Sequence, residues 1–244
     1  MASPAESVRS LSSSLTGSSA GERASGGAFS GNAMVLCRRG VYRRVDELRK
    51  ADVVSCGFQR WSHVECVVEY EPVGDVTPLF GKSGVSEWQA VRAFGRDPEW
   101  SEAWQLPACV AARQREPLAP GASLYNLVLA DHHTVAIHFK DSKNATWAEF
   151  LVPTLGHGIL HDSVASHSYF GGVWAVRDLR RLDGWSYGRV FVPSDAFERD
   201  ATSGAVFRMR AKAKARARSP QQQQNEESQT MSRVRSVLQE LFME

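Results

Sequence analysis

Residues 124–139 read Leu-Tyr-Asn-Leu-Val-Leu-Ala-Asp-His-His-Thr-Val-Ala-Ile-His-Phe, two short apolar runs hinged at Asp131-His132-His133. Runs this short and this rich in strand formers constrain the region to β structure, because a stable helix needs a longer periodic stretch. The same grammar recurs upstream. Ala33–Cys37 and Asp52–Cys56 are short apolar runs, and Val64–Tyr70 mixes strand formers with outward Glu65 and Glu69. Gly40 and Gly57 punctuate between them. From Ala28 to about Val152 the pattern predicts an all-β domain.

A chain of 244 residues, 43% hydrophobic, is long enough to bury a real core. Residues 1–27 hold nine Ser and four Gly and offer too few large apolar groups to offset the entropy of ordering. The expected organisation is a disordered N-terminus over 1–27, one folded domain over 28–200, a basic strip and Gln-rich linker over 201–230, and an amphipathic helix over 231–244. Inside the domain, a helix is expected after Gly171-Gly172, with Val173, Val176, Leu179 and Leu182 as its apolar stripe and Gly184 as its stop. In the last segment Val234, Val237, Leu238, Leu241 and Phe242 share one face. Its charges oppose the helix dipole, so it needs a surface to lie on, either its own domain or a partner's groove. No run approaches the roughly 20 apolar residues of a membrane helix, and no apolar leader is visible. The expected location is intracellular, cytoplasmic or nuclear.

The four cysteines, Cys37, Cys56, Cys66 and Cys109, lie in apolar runs without CxxC spacing and read as buried thiols; disulfides or a metal site are the alternatives. Six of the seven histidines fall between 132 and 167, but without zinc-finger or HExxH spacing. On a strand, His132 and His138 would share one face and His133 the other. No cofactor is implied. Arg208, Arg210, Lys212, Lys214, Arg216 and Arg218 alternate with other residues along one strip. The chain is +2 and residues 219–244 are −2, so residues 1–207 sum to −2 and the positive charge is concentrated in this strip. The strip reads as a solvated tail, a nuclear import signal, or a contact for nucleic acid or an acidic surface.

Two motifs share one register. The stretch Ala28-Phe-Ser-Gly-Asn-Ala-Met-Val35, then Gly40, then Arg44-Val-Asp-Glu-Leu-Arg-Lys-Ala-Asp-Val-Val54 resembles the opening blocks of Hint domains, the self-cleaving modules of inteins and hedgehog proteins. Tyr125-Asn-Leu127 with His133 resembles a later block, and Ser86-Glu-Trp-Gln89 stands where the family has Thr-x-x-His. Thr154-Leu-Gly-His-Gly158, Val164-Ala-Ser-His-Ser-Tyr-Phe-Gly171, Asp178-Leu179 and Gly184-Trp-Ser-Tyr-Gly-Arg-Val190 are similar to the extension of the Vint subgroup. The resemblance implies a mainly β, horseshoe-like Hint fold with short helices.

It also implies a chemistry. Hint cleavage begins when a side-chain thiol or hydroxyl attacks the preceding carbonyl, with a proton donor and oxyanion stabilisers around it. The resemblance puts Ala28 at the nucleophile position, Gln89 at a histidine position, and His133 and His157 at two further site positions. A methyl group cannot attack, and an amide exchanges no proton near neutral pH. The expectation is a degenerate module that binds or scaffolds a protein partner. The alternatives are self-processing from a shifted nucleophile, Ser30 or Cys37, and polyanion binding by residues 208–218.

Overall fold

The structure is a computed structural model. It describes residues 27–71, 75–80, 83–86, 89–94, 104–106, 116–117, 122–140, 147–159, 161–162, 164–202 and 205–210. The expected disorder of residues 1–26, the linker, the terminal helix, Cys109, Lys212, Lys214, Arg216 and Arg218 lie outside the described residues.

The first strands are β1 (Phe29–Ser30), β2 (Met34–Cys37), β3 (Val41–Arg44), β4 (Val53–Ser55) and β5 (Trp61–Tyr70). They are followed by β6 (Asp75–Phe80), β7 (Ser83–Ser86), β8 (Arg92–Phe94), β9 (Glu116–Pro117), β10 (Leu124–Leu129), β11 (Thr134–Lys140) and β12 (Trp147–Pro153). Helix α1 (Val173–Leu179) precedes β13 (Arg189–Val192), and β14 (Phe197–Arg199) pairs with β15 (Val206–Met209). The expected strands are all present, within a residue or two at each end for most and extended to Trp61 in β5.

One curled, largely antiparallel sheet runs β8-β12-β11-β2-β4-β5-β10-β1-β7-β6-β9, with β3 added on β2 and β13 laid parallel on β5. The long β5 ties the halves together. Its start pairs with β4 and its remainder with β10, in a register from Leu124↔Tyr70 to Leu129↔Val64 that shifts once, at Val128/Leu129. All six residues of β10 are buried. Tyr125, Leu127 and Leu129 join one core cluster with Val35, Val54 and Ile137; Leu124 and Val128 join the other with Cys66, Phe170 and Leu179. Because a strand alternates its faces, burial on both sides explains why β10 reads as a nearly unbroken apolar run.

Helix α1 differs from expectation. It ends at Leu179, and Val173 is 74% exposed. Each step of three residues falls about 60° short of a full turn, so the expected stripe drifts: Val176, Leu179 and Leu182 pack against the second core cluster while Val173 faces solvent. The buried face is Ala175, Asp178 and Leu179; Leu182 is buried in the turn that follows. The β14–β15 hairpin carries folded structure past residue 200, with Val206 and Met209 in the second core cluster.

Leu127 is fully buried at the centre of β10. Leu127→Ala should lower stability by about 2–5 kcal/mol, read as a lower urea midpoint at unchanged slope.

Candidate functional site

Strand β1 sets one peptide bond, Gly27–Ala28, against two neighbours. Phe29 pairs with Tyr125 on one side and Val85 on the other. Ala28 is fully buried; its N–H donates to Ser86 Oγ at 2.9 Å, and its carbonyl accepts from the Ser86 N–H at 2.7 Å. The Gly27 carbonyl accepts from Asn126 Nδ2 at 2.8 Å. Both polar ends of the Gly27–Ala28 peptide are therefore held by side chains. A buried amide such as Asn126 is costly unless bonded. Here Nδ2 goes to Gly27 and Oδ1 accepts from the Leu127 N–H at 2.7 Å.

Gln89 closes the third side. It is 1% exposed, and its Nε2 donates to the carbonyls of Ala90 at 3.1 Å and Pro153 at 3.3 Å. Its Oε1 is buried without a hydrogen-bond partner, and a Cβ on Gly27 would lie 2.6 Å from it. Gly27 also has φ +82°, a conformation that side chains disfavour. Two independent constraints thus select glycine ahead of Ala28.

His133 and His157 come next along the same network. The Thr154 N–H donates to the His133 carbonyl at 3.0 Å, one residue beyond the Pro153 carbonyl that holds Gln89. His133 Nδ1 is buried without a hydrogen-bond partner. His157 Nδ1 accepts from the Ile159 N–H at 3.0 Å, and its ring packs so closely on Gly171 that a Cβ there would lie 2.7 Å from Cε1. Burial, and then the nearby His167 and His133, push the His157 pKa down to about 4. Ala28 and Gln89 thus meet at one peptide bond, His133 joins through the 153–154 segment, and His157 is electrostatically coupled to His133.

His132 lies in the hinge expected between the two apolar runs. It sits in the turn at φ 51°, with the strand beginning only at Thr134, so it shares no strand face with His138. The turn is fixed by Asp131, whose N–H donates to Ser62 Oγ at 2.8 Å. His138 is buried against the Tyr42 ring, with centroids 5.0 Å apart. Among the described residues no group of three His, Cys, Asp or Glu is placed to hold a metal ion.

The described thiols are free and buried. Burial pushes Cys56 and Cys66 up to about 12 and raises Cys37 as well. Cys37 lies in the first core cluster and Ala28 in the second, and the chain turns back between them at Gly31-Asn32. Ser30 Oγ accepts from the Gly84 N–H at 3.0 Å. Of the basic strip, Arg208 lies on β15 and Arg210 just beyond it, both exposed, with Arg210 3.5 Å from Glu198.

Sequence reasoning does not single out Gly27, Ser86 or Asn126 as site residues. The available signals are one amide inside the apolar run of β10 and a Gly-Gly pair before Ala28.

The curled, largely antiparallel sheet agrees with the Hint-type β fold that the motifs imply. A family model described as Vint, a Hint domain, matches residues 27–208, and the chain belongs to that family. A search of the curated proteins yields no match.

The histidines give a pH dependence. His138, by burial, and His157 are both pushed from 6.5 to about 4. The folded state then binds fewer protons than the unfolded chain, so stability is complete above about pH 6.5 and is lost as pH falls toward 4. His157→Gln should flatten the decline in melting temperature between about pH 7 and pH 4.5, by up to about 3 kcal/mol in stability terms.

Proposed function

We propose that this Hint domain keeps the cradle of a self-cleaving module, does not cleave itself, and serves as an interaction or scaffolding domain. The observation that carries this is the side chain at residue 28. Ser86, Asn126 and Gln89 surround the Gly27–Ala28 peptide, and the group placed to attack it is a buried methyl.

In the family chemistry, the Asn126 amide stands where a donor would steady the developing oxyanion on Gly27. The Ser86 hydroxyl faces the amide nitrogen that would depart. Neither can start the reaction. Gln89 supplies no exchangeable proton near neutral pH. Substitute nucleophiles fare poorly. The Ser30 hydroxyl is occupied by Gly84, and thiols with pKa near 12 are almost wholly protonated at pH 7. Free, buried cysteines are in keeping with a reducing intracellular location, cytoplasmic or nuclear.

The test is intact mass after expression and incubation with a thiol. The expected result is one species of full-length mass with and without the thiol. Thiol-dependent loss of residues 1–27 would show that a working nucleophile exists and overturn this reading.

A further inference from the structure

On the outer side of α1, away from the gripped peptide in sequence, Trp174, Arg177 and Asp178 line a cleft with Phe207 and Arg208 of β15. Its volume is about 400 Å³. Trp174 is 52% and Phe207 56% exposed, unusual for rings this large. Val173 beside them extends the apolar surface. The helix period explains the grouping, since residues 174, 177 and 178 stand at i, i+3 and i+4 on one face.

The floor is rigid. Asp178 is 8% exposed, and its Oδ2 accepts from the Tyr169 hydroxyl at 3.0 Å and the Met209 N–H at 3.2 Å. That carboxylate ties α1 to β15 and fixes the two walls. Arg177 lies over the Trp174 ring, 4.4 Å from its centroid, and so is held beside the opening.

The charges on the rim are unequally partnered. Arg180 lies 3.5 Å from Glu65, Arg181 3.5 Å from Asp178, and Arg210 3.5 Å from Glu198. Glu198 faces Arg208 across the hairpin but is engaged by Arg210. Among the described residues, the two arginines that line the cleft, Arg177 and Arg208, have no ion pair.

We infer that this cleft docks an acidic peptide segment of a partner protein, with an apolar side chain between Trp174 and Phe207 and flanking carboxylates on Arg177 and Arg208. An exposed pair of aromatics with adjacent unpaired arginines has the composition of an interface centre. The anionic Asp178 at the floor disfavours a phosphate placed deep between the walls, which favours a peptide over a nucleic acid backbone. The inference rests on the interaction-domain reading of the function and names its partner class.

The test uses the full chain and a short fluorescein-labelled peptide, a central Phe-Leu pair between runs of Glu, read by fluorescence polarisation. Control peptides carry Lys for Glu, or Ser for the Phe-Leu pair. The expected result is binding of the acidic apolar peptide alone, weakened about tenfold or more by Arg177→Glu with Arg208→Glu and by Trp174→Ala. These positions are exposed or partly exposed, so unchanged melting temperatures should separate lost contacts from lost folding. Absence of binding, binding indifferent to these substitutions, or equal binding of the Ser control would overturn the inference. Preferential binding of a single-stranded oligonucleotide or of anionic phosphatidylserine vesicles, lost in the same variants, would also overturn it. Peptide binding that persists in the variants would sink the cleft alone and leave the interaction role standing; thiol-dependent cleavage would sink the silent-module reading alone.

Discussion

The grip on the Gly27–Ala28 peptide organises the first half of this protein. Ser86 takes its N–H and Asn126 holds its carbonyl. The two contacts join β1, β7 and β10, which are separated by 58 and 99 residues along the chain. Glycine at 27 is favoured separately, by φ +82° and by Gln89 crowding the space a Cβ would need. Buried polar side chains are expensive, and an all-apolar strand would fill the β10 position of Asn126 more cheaply. Their arrangement about one bond is what distinguishes this sheet from an ordinary β core.

The same geometry bounds the chemistry. Holding a peptide bond and polarising its carbonyl lowers the barrier only once an attacking atom is present. Alanine supplies none. Burial pushes the free thiols of β5 and the β4–β5 turn up to about 12 and raises Cys37 as well, so all three are weak sources of thiolate at neutral pH. In the proposed reading, the methyl at residue 28 outweighs any assistance from Ser86 or Asn126. On that reading, the function passes to surface contacts, and the aromatic cleft at α1 and β15 is flanked by Arg177 and Arg208.

Much of the fold was legible. Short apolar runs with Gly punctuation announce β2, β4, β10 and β11, since local pattern and burial agree there. The motifs around Ala28 and Tyr125–Leu127 indicate the Hint fold. What stayed hidden was long-range or geometric. The contact of Asn126 with Gly27 spans too much chain for any local signal, and sheet order follows from such pairings. The stripe expected on α1 holds at Val176, Leu179 and Leu182, which pack on the second core cluster, and fails at Val173, where the three-residue spacing has drifted around the helix to solvent. The cleft needed the hairpin to bring Phe207 and Arg208 to Trp174, which spacing along the chain does not foretell.

Hydrogen exchange at the Ala28 amide most directly tests whether the junction is held as described. Bonded to Ser86 Oγ and buried, this proton should be strongly protected in the native protein. In Ser86→Ala it should exchange faster by about tenfold to a hundredfold, with distant β11 amides unchanged. An Ala28 amide that exchanges at the rate of an open chain in the native protein would contradict the account.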